Sequence, residues 1–161
     1  MAVKYKIEFE SNAGVKYRVE INDPTYSGTP IALQGGATPF TTEEDSTDDF
    51  FAPIRTSTGT LNIVDDGSIP NLMEQIVPTN NVQKAVRLMR YDDTEEDYVV
   101  EWQGFLSCEA YEQEFTDRTK EISINCNSVL QAMESEDISD LQDTAFCGIL
   151  IVHWIARRSL T

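Results

Sequence analysis

The residue of this chain best suited to acid–base chemistry is its single histidine, His153. Histidine changes charge near neutral pH, which makes it the most frequent general base in enzymes. His153 stands in an apolar C-terminal stretch, and no Asp or Cys lies at helical spacing to complete a catalytic pair. We therefore interpret it as a core or interface histidine. The GxSxG, P-loop, GxGxxG and HExxH motifs are also absent from the sequence, and we expect no enzyme.

Two carboxylate runs, Asp45–Asp49 and Asp92–Asp97, offer oxygen ligands of the kind that calcium binds. Neither run has the EF-hand spacing, with glycine at the sixth position and glutamate at the twelfth. We interpret both as solvated acidic loops, which also discourage neighbouring strands from pairing with other chains. Such carboxylates could also serve in a sugar-binding or sugar-cleaving β-sandwich. That function requires a cleft lined by aromatic side chains. We expect no metal and no cofactor.

The three cysteines, Cys108, Cys126 and Cys147, form an odd and widely spaced set. Such a set is neither a disulfide framework nor a zinc site, so we expect buried free thiols in a reducing compartment. The opening residues MAVKYKIEFE have no apolar stretch of the kind a secretory signal needs. The apolar run Ala145–Ala156 is too short to cross a bilayer.

The charge balance limits the partners. The 161 residues include 28 acidic and 12 basic side chains, for a formal net charge of −16, while 40% hydrophobic residues suffice for a core. Such a chain repels phosphates, so direct binding to nucleic acid or to an anionic membrane is disfavoured. The charge permits a DNA mimic, such as an inhibitor of a defence nuclease. A mimic needs carboxylates spaced like phosphates over one face, whereas here they concentrate between predicted strands.

Alternating apolar and polar residues predict the strands. Lys4–Glu10 and Val15–Ile21 alternate cleanly and flank the turn Ser11–Gly14, which predicts a β-hairpin. Gly35-Gly36 is expected to end the next strand, and Thr41–Asp49 to be an acidic loop. Further strands are expected at Ile31–Leu33, Arg55–Val64, Val82–Tyr91, Tyr98–Leu106, Tyr111–Phe115 and Glu121–Cys126, the last with Ile122, Ile124 and Cys126 inward.

Helices are expected at three places. Ser68–Val77 reads as a short helix with Ser68 as its cap and Pro70 in its first turn. A second helix starts at Asn127 or Ser128 and runs to about Glu134, and a third starts at Ser139 or Asp140. About eight short strands and two or three flanking helices predict a mainly-β antiparallel barrel or sandwich.

The last helix differs from the rest of the chain, because its surface is apolar nearly all round, a pattern typical of a buried helix. We divide the chain into a β domain over residues 1–135 and a C-terminal apolar helix over residues 136–161. That helix plugs its own barrel, docks on a partner or belongs to a longer domain. Its candidate contact residues are Phe146 and Trp154.

The stretch FFAPIRTSTGTLNIVDD contains most of the other candidate interaction residues. Phe50 and Phe51 can anchor the acidic loop before them, and Arg55 can pair with its carboxylates. Gly59 indicates a bulge or a close backbone approach. The alternating Thr56, Thr58 and Thr60 form either an ordinary surface row or a wetted protein–protein contact. Trp102 completes the candidate set.

Three segments together carry a resemblance to a known family. They are FAPIRTSTGTLNIVDD, WQGF with the following SCEAY, and EISINCNSVL, with the opening YKIEF…YRVEI hairpin in addition. The set, which covers residues 3–135, resembles the N-terminal region of tail or baseplate proteins of Bacteroides-type phages and prophages. Asn127 stands where that pattern has Asp. Residues 145–161 do not take part.

The resemblance implies a structural virion protein similar to the hub proteins at phage tail tips. It implies small β-barrel modules that assemble as homo-oligomeric rings and contact other tail proteins, and it brings no catalytic residues. The protein would then be assembled in the bacterial cytoplasm and located in the tail. A negative charge suits a tube that passes DNA, because repulsion prevents sticking to its wall.

Overall fold

A computed structural model describes residues 2–44, 56–81, 83–108, 119–129 and 131. These residues form one mixed sheet of eight strands in the order β3-β1-β2-β6-β7-β8-β5-β4, together with one short helix. The elements are β1 (Ala2–Glu10), β2 (Lys16–Asp23), β3 (Ile31–Ala32), β4 (Gln34–Glu44), β5 (Ser57–Asp65), α1 (Leu72–Ile76), β6 (Ala85–Asp92), β7 (Asp97–Leu106) and β8 (Lys120–Ser128).

The mainly-β class and the strand number are as expected, but the sheet does not close into a barrel. The two end strands explain why. β3 pairs in parallel with β1 for only two residues, Tyr5↔Ile31 and Lys6↔Ala32. The chain then passes Leu33 and enters β4, which pairs with β5 and not with β1. The remaining pairs are antiparallel.

The strands predicted from clean alternation are confirmed. β1 and β2 form the expected hairpin around Ser11–Gly14, in which Ser11 N–H donates to Val15 O at 2.8 Å. In β8, Ile122, Ile124 and Cys126 face the core as expected. Burying one such side chain contributes about 1.5–3 kcal/mol to folding. The expected strand Tyr111–Phe115 lies outside the described residues.

The acidic-loop prediction for Thr41–Asp49 is wrong over its first four residues. Thr41–Glu44 belong to β4, which also includes Gly35-Gly36, the pair expected to end a strand. Tertiary pairing explains the difference, because Thr41 lies opposite Thr60 and Thr42 opposite Gly59 on β5. Residues 45–49 lie outside the described part of the chain.

The expected count of two or three flanking helices is not supported. The helix predicted over Ser68–Val77 is the five-residue α1, and Ser68 does not cap it. Ser68 N–H instead donates to Asp66 Oδ1 at 2.9 Å, and the N-cap residue is Asn71 in the left-handed region. At the second expected helix, Ser128 Oγ accepts a hydrogen bond from Gln131 N–H at 3.4 Å. The C-terminal helix lies outside the described residues.

The C-terminal end of α1 is held by a buried lysine. Lys84 is 6% exposed, and its ammonium donates to the backbone carbonyls of Gln75 and Ile76. Its Nζ also lies 3.9 Å from Asp23 Oδ2. Burial lowers the pKa of Lys84, although the charge of Asp23 opposes that effect. This cation satisfies carbonyls that a helix end leaves unpaired and fixes α1 against the sheet.

Candidate interaction surfaces

The threonines of β5 lie on the outer face of the sheet. Leu61 and Ile63 are fully buried in the core, so strand alternation directs Thr58, Thr60 and Asn62 away from it. Thr58 is exposed, while Thr60 and Asn62 are half-buried. The structure therefore brings two members of the predicted threonine row, Thr58 and Thr60, onto one surface.

Neighbouring strands extend this surface with uncharged polar residues. On β8, Asn127, Asn125 and Ser123 lie opposite Thr58, Thr60 and Asn62, and on β4, Thr41 lies opposite Thr60. Ser123 Oγ donates to Asn62 Oδ1 at 2.6 Å, and Asn62 Nδ2 donates to Thr38 O at 2.7 Å. We call this surface the polar face; it consists of Thr41, Thr58, Thr60, Asn62, Ser123, Asn125 and Asn127.

The polar face is electrically unlike the chain as a whole. None of its seven residues ionises, and the carboxylates nearest in the pairing register, Glu43 and Glu121, stand at its borders. The whole chain carries a formal charge of −16. Hydroxyl and amide groups can donate and accept hydrogen bonds directly or through water, so the face offers a second protein neutral hydrogen-bonding groups between its two bordering carboxylates.

Trp102, the candidate on β7, faces the margin of the core. Its Nε1–H donates to Ser57 Oγ at 2.9 Å, and its ring meets that of Phe40 at a centroid distance of 5.3 Å. Gly59 lies beneath both rings. A Cβ at Gly59 would stand 2.8 Å from Phe40 Cζ and 3.3 Å from Trp102 Cη2, which confirms the predicted close approach.

The remaining predicted contact residues divide into two groups. Thr56 is half-buried and precedes β5. Phe50, Phe51, Arg55, Phe146 and Trp154 lie outside the described residues, as does His153.

The exposed side chains of the β6–β7 hairpin were not found from the sequence. Arg87 and Arg90 of β6 are exposed, and Val99 and Val100 of β7 are 40% and 45% exposed. Among the described residues, these valines are the large apolar side chains most open to solvent. Strand alternation places Arg87 and Val100 on the outer side with Met89, and Arg90 and Val99 on the opposite side.

An irregularity in β7 places Val100 on the outer side of the hairpin. Leu88 pairs with Trp102 and Met89 with Val100, so Glu101 is an extra residue between two paired positions. Strict alternation would have put Val100 on the same side as Trp102, towards the core. The bulge turns it to the outer side with Met89, and the one-residue insertion has no signature in the sequence that could have revealed it.

Most other described cations are paired. Arg18 lies 2.8 Å from Glu8 and its guanidinium stacks over Tyr98 at 4.0 Å, and Lys6, Lys4, Lys84 and Lys120 each have a carboxylate within 4 Å. Within the described part of the chain, Arg87 and Arg90 form no salt bridge. Arg87 lies opposite Glu20 on β2. The pKa of Asp92 is lowered by the hydrogen bond from Thr94 N–H and also by the charge of Arg90.

The expectation of buried free thiols holds for one described cysteine and fails for the other. Cys126 is buried, and burial raises its pKa to about 12, so it stays protonated and unreactive at neutral pH. Cys108 is exposed, which contradicts the expectation of a buried thiol. It lies two residues after β7 ends at Leu106, and its amide donates to Asn81 Oδ1 at 2.9 Å. Cys147 lies outside the described residues.

A shallow cavity of about 300 Å³ lies beside α1, between Asp65, Pro70, Met73 and Lys120. Its one cation, Lys120, is 3.9 Å from Asp65 and so is already paired. No group of three metal-ligating side chains occurs in the described residues. The helices in the same residues include none long and apolar enough to cross a membrane.

Comparison with known proteins identifies no relative of this chain. No protein-family model, curated protein or solved structure matches the chain. The polar face and the exposed side chains of the β6–β7 hairpin are therefore interpreted from their own geometry and charge.

Proposed function

We propose that this protein is a structural subunit of a phage or phage-like tail, a tail-tip or baseplate hub or ring component. It works by assembling with copies of itself and with other tail proteins, and it transforms no substrate. Two lines of support exist: the resemblance in FAPIRTSTGTLNIVDD, WQGF and EISINCNSVL, and the surface that β4, β5 and β8 present.

The polar face is the observation that carries the proposal. Copies of a chain with charge −16 repel one another, and that repulsion keeps such a chain monomeric unless a contact avoids it. Seven uncharged polar side chains in a three-stranded block offer such a contact. Protein–protein interfaces of this polar kind are held by hydrogen bonds and bridging water, as well as by shape.

The alternative function, an acidic DNA mimic or inhibitor-type binding protein, has less support. A mimic would present unpaired carboxylates in a phosphate-like row. On β1 and β2, the carboxylates of Glu8, Glu20 and Asp23 each lie within 4 Å of a lysine or arginine. These strands therefore expose a mixed-charge surface.

The proposal predicts rings whose formation depends on the polar face. Sedimentation velocity and negative-stain electron microscopy of the purified chain should show a cyclic oligomer. Thr60→Glu combined with Asn125→Glu puts two opposed carboxylates into the contact, and like charges brought together cost several kcal/mol. We expect this variant to need about 100-fold more protein for half-assembly.

Ser27→Glu with Thr29→Glu is the matched control, because it adds the same charge in the exposed loop after β2. It should assemble as the native chain does. A native chain that stays monomeric at all accessible concentrations, and that captures no tail component, would contradict the proposed function.

A further inference from the structure

Four adjoining side chains form an apolar and aromatic surface on the outer side of the β6–β7 hairpin. Met89 pairs with Val100 across the two strands. Tyr91 pairs with Tyr98, and their rings meet edge-on at a centroid distance of 5.2 Å. Adjoining apolar side chains at a surface, unlike single ones, mark an interaction site. We call this surface the tyrosine block; it consists of Met89, Tyr91, Tyr98 and Val100.

The cations beside the tyrosine block are compensated within the chain. Arg18 lies 2.8 Å from Glu8, and its guanidinium stacks over the ring of Tyr98 at 4.0 Å. Lys16 stands opposite Glu10 on β1. Tyrosine, methionine and arginine are also the residues in which protein interfaces are enriched. The block therefore offers contact area with little net charge, which suits a second copy of a chain whose formal charge is −16.

The two tyrosine hydroxyls give the block hydrogen-bonding capacity. The hydroxyl of Tyr5 donates within the fold to Gln75 Oε1 at 3.0 Å. The hydroxyls of Tyr91 and Tyr98 make no hydrogen bond with any residue that the structure describes. A tyrosine hydroxyl that becomes buried in a contact needs a partner. The threonines and asparagines of the polar face both donate and accept, so they can bind these phenols without a charge.

The tyrosine block and the polar face look in opposite directions. The sheet curves around one core, which the inward side chains of β2 and β6 share with those of β5 and β8. Its two ends approach each other at Gly35 of β4, where an added Cβ would lie 3.2 Å from Ile7 Cγ2 on β1. The outer faces of the two halves of the sheet therefore point away from each other, and one copy cannot bring them together.

We propose that the polar face of one copy binds the tyrosine block of the next copy. This inference rests on the proposed function and names the surface that the polar face meets. Because the two surfaces differ and point in opposite directions, the contact is heterologous. Such a contact generates a closed ring where the rotation between copies closes, whereas a contact of two like surfaces ends at a dimer.

Paired charge substitutions test which surface meets which. Thr60→Lys with Asn125→Lys places two cations on the polar face. Tyr98→Glu with Val100→Glu places two carboxylates on the tyrosine block, where Arg18 lies beside them and supports the fold. We expect each pair alone to need about 100-fold more protein for half-assembly in sedimentation velocity, because each contact then buries charges without a counterpart.

The chain with all four substitutions distinguishes unlike from like contacts. Every contact between a polar face and a tyrosine block then joins lysines to glutamates, so assembly should return to within about 10-fold of native. Contacts between two like surfaces would keep like charges together and stay weak. The control combines the two lysines with Ser27→Glu and Thr29→Glu, which give the same net charge in the exposed loop after β2 and should restore nothing.

Cysteine cross-linking tests the same contact with smaller substitutions. Val100→Cys and Asn125→Cys are introduced singly and together in a chain whose Cys108 and Cys147 are replaced by serine, and a short bismaleimide links neighbouring thiols. We expect covalent chains of more than two copies from the double variant alone. Each single variant should stay unlinked, because a heterologous contact brings no position next to its own copy.

Four outcomes would overturn the contact and leave the proposed function standing. They are rings that survive the glutamate pair on the tyrosine block, a four-substitution chain as weak as its control, dimers from a single-cysteine variant, and no covalent chains from the double variant. A native chain without rings or tail partners overturns both proposals.

Discussion

At the scale of single residues, Asp23 couples charge to folding. Asp23 Oδ1 accepts hydrogen bonds from Thr25 N–H at 3.0 Å and Thr25 Oγ1–H at 2.6 Å, and Oδ2 faces Lys4 and Lys84. Burial raises the pKa of Asp23, but the hydrogen bonds from Thr25 and the charges of both lysines outweigh it, so the pKa is lowered overall.

That lowered pKa predicts a loss of stability in acid. The folded protein binds a proton at Asp23 less readily than the unfolded chain, so Asp23 stabilises the fold above its unfolded pKa of about 3.9. The stabilisation is lost as the pH falls through the lower, folded pKa. In thermal melts from pH 6 down to pH 2, Asp23→Asn should show a shallower decline of Tm than the native chain. Asp93→Asn, at an exposed carboxylate of the β6–β7 turn, is the control; equal slopes for native and D23N chains would contradict the assignment.

The predictions for single residues had different outcomes. Gly59 predicts a bulge or a close backbone approach, and Phe40 and Trp102, on two other strands, cover it. Ser68 was expected to cap α1, but Asp66 binds its amide and α1 begins later. The pairing of Lys84 with α1 could not be predicted, because it joins residues that only the tertiary fold brings together.

At the scale of elements, prediction succeeded where alternation is strict and failed where the composition of a strand resembles that of a loop. β1, β2 and β8 show clean alternation, and all three match their predicted strands. β4 contains two glycines, Pro39 and an acidic end, which together have the composition of a loop. Its strand geometry comes from pairing with β5, and the local composition of β4 does not encode that tertiary contact.

The β7 bulge makes a specific prediction about register. Glu101 is the extra residue between Trp102, which pairs with Leu88, and Val100, which pairs with Met89. Deleting Glu101 leaves both pairs in place and restores the regular two-residue period, so we expect a folded protein with Tm within about 5 °C of native. Deleting Gln103 is the control: it shifts either Trp102 or Gly104 to the wrong face and should cost several kcal/mol. A Glu101 deletion that unfolds the chain as severely as the Gln103 deletion would contradict this register.

At the scale of the whole molecule, the formal charge of −16 can serve the proposed ring by repelling DNA. The β6–β7 turn is exposed and carries five carboxylates between Asp92 and Asp97. We hypothesise that these turns face the axial passage of the ring, where negative charge would repel the phosphates of passing DNA. A cryo-EM ring with these turns on its outer rim would refute the hypothesis.

This placement predicts that ring assembly and DNA repulsion depend on different residues. Asp92 and Asp97 accept hydrogen bonds from backbone amides at 2.8 Å and 2.7 Å, and they shape the turn, so both should be kept. The variant Asp93→Asn, Glu95→Gln and Glu96→Gln removes three charges while retaining that geometry. Rings of this variant should form normally but retain more double-stranded DNA than native rings in a low-salt gel-shift assay, where electrostatic effects are strongest. The same number of neutralisations at Glu10, Glu74 and Glu121, all exposed elsewhere on the sheet and α1, should leave DNA retention unchanged, because those carboxylates would not line the passage.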